Sequence, residues 1–314
     1  MSNPSQNQVG IDVCKAHLDC ALPGRAKLRV PNSPKGFQTL LSLLPPHSHV
    51  FMEATGGYER DLLAAVHGAG VAVSVINALH VRHFARAKGL LAKTDAIDAR
   101  VLADYGRAVP CRLSSPADPT QSALAELCSA RELLVNTRSA LLCASSHLKL
   151  PATKKAYQSQ LRCVDIQIQK IEAAILKLIQ AHRPSAARYA TLRSVRGVGP
   201  ATAATLQALL PELGSLSNKK LCALAGLAPF NHDSGPRCAK RSVHGGRRKV
   251  RHALFMATLS VIRYDSAPAA FYHRLKNAGK PSKLALIAAA RKLLCLLNHL
   301  LKSHWLLPSI PPKN

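Results

Sequence analysis

Seven apolar side chains, Tyr157, Leu161, Val164, Ile168, Ile171, Ile175 and Leu178, step along the chain by four and three residues in strict alternation. That spacing lays all seven on one stripe of an α-helix, so the middle of the chain is committed to a long helix. Upstream, Leu127, Ala130, Leu134, Thr137, Leu141, Ala144 and Leu148 also repeat by three and four, and Leu150-Pro151-Ala152-Thr153-Lys154 reads as a turn between the two stripes. The expectation is a long antiparallel helical hairpin over residues 119–184. Its seam is read as a coiled coil, within the chain or between copies, with separate packing of each helix on its own domain as the alternative.

A different period governs the first third. Val9–Cys14, His17–Leu22 and Ala26–Val30 read as three short strands, followed by a helix over Lys35–Leu44 stopped by Pro45 and Pro46. His49–Glu53 is a strand, Tyr58–Ala69 a helix ended near Gly70, and Val71–Ile76 an apolar strand. Two helices follow, over His80–Lys88 and Thr94–Tyr105, the second with Thr94 as N-cap. The order βββαβαβα predicts an α/β domain with a mixed sheet over residues 1–110, and it is the order of the ribonuclease H fold. The remainder, residues 185–314, reads as a mainly helical C-terminal domain.

Charge divides the chain in another way. It carries 43 Lys plus Arg against 16 Asp plus Glu, a formal net charge of +27. More than half of the acids lie in the first third, whereas most of the positive excess lies beyond residue 190. A chain so basic repels itself unless it meets a polyanion, which points to nucleic acid before a membrane surface. Residues 1–9 are polar, unlike a signal peptide, and the most apolar stretch, Leu284–Leu301, is broken by Arg291 and Lys292. It falls short of the roughly 18 uninterrupted apolar residues of a membrane span and reads as a packing helix. Nine cysteines without a C-x-x-C pair or zinc spacing suit a reducing cytoplasm, and the expected location is cytoplasmic, at the nucleoid, with no membrane partner.

Four carboxylates stand out by position. Asp12 interrupts the apolar run Val9-Gly10-Ile11-Asp12-Val13, where an unpartnered charge is costly. Glu53 ends the fourth strand, ahead of Gly56 and Gly57. Asp95 and Asp98, three apart on a helix, share a face with Cβ atoms about 5–6 Å apart. Like charges that close favour a cation between them, and hard oxygen ligands suit Mg²⁺ or Mn²⁺. Taken singly, Asp95 and Asp98 read first as a solvated helix face, Asp95 also as a support for the helix N-terminus, and a strand-end Glu means little; the combination with the element order and the charge of +27 is what points to a metal site. Asp19, Glu59, Asp61 and Asp104 are left as surface or capping groups.

Three runs, Gly10-Ile11-Asp12-Val13-Cys14-Lys15, Met52-Glu53-Ala54-Thr55-Gly56-Gly57-Tyr58 and Lys93-Thr94-Asp95-Ala96-Ile97-Asp98-Ala99, resemble the DEDD insertion-sequence transposases of the IS one-ten (IS110) family, which includes a pilin-gene invertase. Leu192 through Arg251 resembles that family's second domain, so the resemblance covers nearly the whole chain. It implies a RuvC-like N-terminal domain with Asp12, Glu53, Asp95 and Asp98 as metal ligands. It also implies a serine nucleophile, matched here by Ser234 in Phe230-Asn231-His232-Asp233-Ser234-Gly235, and an element-encoded guide RNA that pairs with donor and target DNA. Cys14 departs from the family, which usually has serine there.

Read locally, Asp233-Ser234-Gly235 is a turn signal and a surface loop. A lone hydroxyl needs a base or a metal to attack, and the adjacent His232 and Asp233 do not supply a recognisable triad. Ser234 therefore has to meet the acids from another domain or subunit, with Ser242 as the substitute should Ser234 fail. Lys240, Arg241, Arg247, Arg248, Lys249 and Arg251 form a dense basic segment around Gly245-Gly246, expected to contact phosphates at the start of a helix near Arg247. Gly197-Val198-Gly199-Pro200 resembles a helix-hairpin-helix turn, with Gly197 and Gly199 presenting backbone N–H groups to a phosphate, or else a simple helix connection. Aromatics are only 4% of the chain, too few for base-stacking platforms, so backbone contacts should dominate. The expected function is DNA transposition or site-specific recombination by a homo-oligomer, a dimer or tetramer. A junction-cutting hydrolytic nuclease and a non-enzymatic nucleic-acid-binding protein are the rival readings.

Overall fold

The computed structural model describes residues 7–90, 95–116, 118–230, 242–243, 245–264 and 267–306. The chain forms two compact units, Met1–Ala117 and Asp118–Asn314.

The first unit runs β1 (Asn7–Val13), β2 (His17–Leu22), β3 (Arg25–Pro31), α1 (Pro34–Leu43), β4 (Ser48–Glu53), α2 (Arg60–Gly68), β5 (Ala72–Ile76), α3 (Ala78–Ala87) and α4 (Asp95–Ala108). This is the α/β order read from the sequence. The five strands form one mixed sheet, ordered β3-β2-β1-β4-β5, in which β1 pairs antiparallel with β2 and parallel with β4. Side chains alternate across the sheet with period two. Val9, Ile11, Val13, Val50 and Met52 enter the cluster that holds Phe37 and Leu40 of α1 and Leu62 and Val66 of α2. Phe51 and Ile76 point the other way, into a cluster with Val81 of α3 and Val101 and Leu102 of α4. The sheet is thus covered on both faces, which is why five of the six residues of β4 are buried.

Two glycines allow α4 to lie directly on the strands. A Cβ at Gly10 of β1 would fall 1.9 Å from the Ala99 carbonyl oxygen and 2.6 Å from the Ala103 nitrogen, both backbone atoms of α4. A Cβ at Gly106 of α4 would fall 2.4 Å from the Phe51 ring. These are steric needs for glycine, independent of φ.

The second unit runs α5 (Pro119–Ser145), α6 (Pro151–Ala181), α7 (Arg183–Arg193), α8 (Pro200–Leu209), α9 (Asn218–Leu224), β6 (Pro229–Phe230), β7 (Ser242–Val243), α10 (Arg248–Val261), α11 (Ala267–Asn277) and α12 (Ser282–Leu306). α5 and α6 are antiparallel partners. Arg131 pairs with Glu172 and Arg138 with Asp165, so one helix advances by seven residues as the other retreats by seven. Details differ from the sequence reading. Leu150-Pro151 is a helix start rather than part of a turn, because proline at the first helical position gives up an N–H that would be unpaired anyway. Leu148 lies beyond the end of α5, and Thr137 and Ala144 are exposed. Near the hairpin's base the buried residues are Leu124, Cys128, Ile175 and Ile179, packed with Ala204 and Ala208 of α8. There α5 and α6 face a third helix, which shifts the buried stripe off the two-helix seam.

α12 is the axis of this unit. Ala290, Leu293, Leu294, Leu297 and Leu301 are buried against Leu206 of α8, Leu221 of α9 and Val250, Leu254 and Val261 of α10. By length and apolarity α12 could cross a membrane, but these side chains are core. Its buried Asn298 is fully engaged: its carbonyl accepts from Gly214 N at 2.8 Å, and its amide donates to Leu216 O and to Asn218 Oδ1.

Candidate active site

β1 and β4 run parallel, with Gly10 opposite Phe51 and Ile11 opposite Met52. One residue further on, Asp12 and Glu53 end adjacent strands on the face that α4 covers. Gly10 seats Ala99 against β1, which brings the preceding residue, Asp98, to the same end of the sheet. Asp12, Glu53 and Asp98 accordingly line one cleft of about 860 Å³. Asp95 opens α4, and its side chain lies outside the described residues, as does the expected N-cap Thr94. Among the described residues no three His, Cys, Asp or Glu side chains converge closely enough to hold a metal ion together. The three carboxylates share a cleft without forming a closed cluster.

Asp19 was expected at the surface, but it is 8% exposed. Strand register explains this. Asp12 lies opposite Asp19, and Asp19 opposite Arg29, a row across three strands on one face. Both Asp19 oxygens accept from the Arg29 guanidinium at 2.9 Å, with His17 at 3.3 Å. The bidentate pair neutralises Asp19.

Glu59, expected as a capping or surface group, organises the loop after Glu53. Its Oε2 accepts from Gly57 N at 2.9 Å, Thr55 N at 3.1 Å and the Thr55 hydroxyl at 3.2 Å. Burial pushes its carboxyl up, but hydrogen bonds to the ionised form outweigh that and hold it below the ordinary 4.5. A depressed carboxylate stabilises the fold above its unfolded pKa, and that contribution is lost as pH falls through the folded value. Glu59→Gln should therefore lower the melting temperature near neutral pH, and the deficit should vanish well below 4.5. A deficit that is independent of pH would show that charge is not what holds this loop.

The cleft also contains residues that the sequence did not single out. Arg82 and Arg86 of α3 line it together with Asn77, whose Oδ1 caps α3 by accepting from Leu79 N at 2.9 Å. The two arginines are four apart and so share a helix face. That spacing was legible, but nothing local to α3 tells that its arginine face meets the carboxylates. Cys14 lines the same cleft.

Ser234, His232, Asp233, Lys240 and Arg241 lie outside the described residues. The rest of the basic segment is engaged in folding to an extent its composition did not suggest. Arg247 forms a bidentate pair with Glu212, at 2.5 and 2.6 Å, and donates to Leu209 O. Lys249 pairs with Glu132 at 2.7 Å. Arg251 donates to Gly245 O at 2.6 Å and Gly226 O at 3.4 Å, bracing the turn where Gly245 and Gly246 have φ of 67° and 63°. Arg248, in the first turn of α10, is exposed. At the other expected contact, Gly197 (φ 92°) packs on the Val261 backbone, Gly199 precedes α8, and Arg193 ties the turn by donating to Val198 O at 2.6 Å.

Two family models match the chain. One, a DEDD transposase model for IS110, covers residues 9–148; the other, described as the transposase of the IS116/IS110/IS902 family, covers residues 189–273. Together they span well over half of the sequence. The pilin gene-inverting proteins of Moraxella lacunata and Moraxella bovis are each 29% identical over 307 residues, covering 93% of this chain and 94% of theirs. An uncharacterized 43.6 kDa protein of insertion element IS110 from Streptomyces coelicolor is 32% identical over 146 residues, 46% of this chain and 35% of that one.

Proposed function

The chain belongs to the IS110 family of transposases and is a DNA transposase or recombinase, and from that premise we propose that Asp12, Glu53, Asp95 and Asp98 form its metal-binding half-site, completed by Ser234. The observation that carries this reading is the meeting of Asp12, Glu53 and Asp98 at one end of the sheet, in one cleft. The sheet order β3-β2-β1-β4-β5 supports a ribonuclease H or RuvC-like domain. The donor set is all carboxylate oxygen, which fits Mg²⁺ or Mn²⁺. Such ions, when bound, lower the cost of charge on the attacking and leaving oxygens of a phosphodiester exchange. Arg82 and Arg86, on the same cleft, would hold a strand phosphate beside the acids.

Ser234 is the nucleophile in this reading. Its Oγ gives up a proton and bonds to phosphorus as one strand oxygen leaves; a strand hydroxyl later displaces the serine and restores the phosphodiester. The bond energy is conserved in the protein–DNA link, so joining needs no outside energy source. The partners are donor and target DNA, an element-encoded guide RNA, and further copies of this chain. The net charge of +27 suits that load of polyanion, and the helical hairpin, read as a coiled coil, offers the contact between copies.

The test is denaturing electrophoresis after incubation with Mg²⁺, plasmid DNA carrying the gene's flanks, and the RNA that co-purifies. Wild type should give a protein-linked DNA species, and Ser234→Ala should lose it while still binding DNA. A persistent adduct in Ser234→Ala would move the role to Ser242 or another residue. Cut ends without any adduct would make the enzyme a hydrolase.

A further inference from the structure

The second unit carries a groove of about 690 Å³ that the cutting chemistry does not use. That is within the size of small-ligand sites, roughly 300–1,000 Å³. Phe271 of α11 and Leu284, Ile287 and Ala288 of α12 line it, with Pro229 and Val243 at the foot of the β6–β7 pair. Leu284 is 49% exposed, an unusual position for leucine on a helix whose other face is core. Lys283, Arg291 and Lys292 also line the groove and are exposed, while no Asp or Glu is among its described lining residues.

An apolar hollow edged by three cations matches a ligand with a flat apolar body joined to a negative charge. An unpaired nucleotide has that chemistry. Apart from the cationic tips, the described lining offers hydrogen-bonding side chains only in the weak Cys295 thiol, so a base would be held by contact and not read by its edge. The chain is a DNA transposase or recombinase, which makes a DNA strand the source of that nucleotide. We propose that this groove receives an unpaired nucleotide of a DNA strand, its base against Phe271, Leu284 and Ile287 and its phosphates on Lys283, Arg291 and Lys292. The groove's ligand is argued from its own lining and does not rest on the Ser234 reading.

The test uses the full chain and a DNA duplex bearing one unpaired 2-aminopurine, compared with the fully paired duplex. Wild type should bind the unpaired form about tenfold more tightly, within the range that stacking one base gives, with a change in 2-aminopurine fluorescence. Ala288→Trp, which fills the groove, should abolish both while binding the paired duplex as wild type does. Leu284→Ser, at a half-exposed position that does not threaten folding, should weaken the preference. Removing Lys283 and Lys292 together should reduce the salt slope for single-stranded DNA by about 1.4. Asp12→Asn should keep the fluorescence response, which separates this site from the carboxylate cleft. The proposal is overturned if wild type binds both forms equally, if Ala288→Trp retains the preference, or if RNA or an acidic peptide displaces the unpaired DNA on equal terms.

Discussion

Asp12→Asn should abolish DNA cutting and joining while leaving the fold intact. The amide has the carboxylate's shape but neither its charge nor its strength as an oxygen ligand. Asp12 stands opposite Asp19 and one position beyond the Ile11–Met52 pair, which puts it beside Glu53. The side chain keeps its size and shape, so the variant should melt within a few degrees of wild type. A loss of at least about a thousandfold in the cutting rate is expected, about 4 kcal/mol of transition-state stabilisation. The measurement is the initial rate of adduct formation, run beside a thermal melt. Cutting at a rate near wild type would remove Asp12 from the centre.

Gly10→Val should have the largest structural effect in the first unit. Even a single Cβ there would meet the Ala99 carbonyl oxygen at 1.9 Å and the Ala103 nitrogen at 2.6 Å, and neither backbone atom can rotate away. α4 has to move off β1, which also opens the Val101–Leu102 contacts with Phe51. Overpacking of this kind costs about 1–3 kcal/mol or more, and branching at Cβ places it at the upper end. Hydrogen exchange should show lost protection along α4 and β1 with the second unit unchanged. Cutting should fall as well, because Asp98 rides on α4. Gly10→Ala should show the same pattern at smaller amplitude. A variant that exchanges like wild type throughout would mean that α4 does not depend on this approach.

Residues read correctly from sequence are those whose signal is local. The strands and helices of residues 7–108 come at the positions their periodicity gives, and the helix expected near Arg247 begins at Arg248. Leu284–Leu301, read as a packing helix, supplies most of the buried face of α12. The errors arise where a partner far along the chain decides the outcome. Asp19 looked like a surface acid because Arg29 reaches it only through β2–β3 register. The pairs of Arg247 with Glu212 and of Lys249 with Glu132, 35 or more residues apart, likewise left no local sign in a segment read for phosphate contact. The α5 seam was read for one partner helix, and at its base there are two.

The sequence by itself determined the order of elements, the change from mixed α/β to helix at about residue 118, and a charge that demands a polyanion. These follow from period, chain-breaking residues and composition, which are properties of neighbours along the chain. Only the tertiary structure decided that Asp12, Glu53 and Asp98 line one cleft, that Arg82 and Arg86 line it with them, and that Asp19 does not. Those outcomes depend on strand register and on how closely α4 approaches β1, and a contact between residues more than 80 positions apart leaves no periodic trace in the chain. A single missing Cβ, at Gly10, sets that approach.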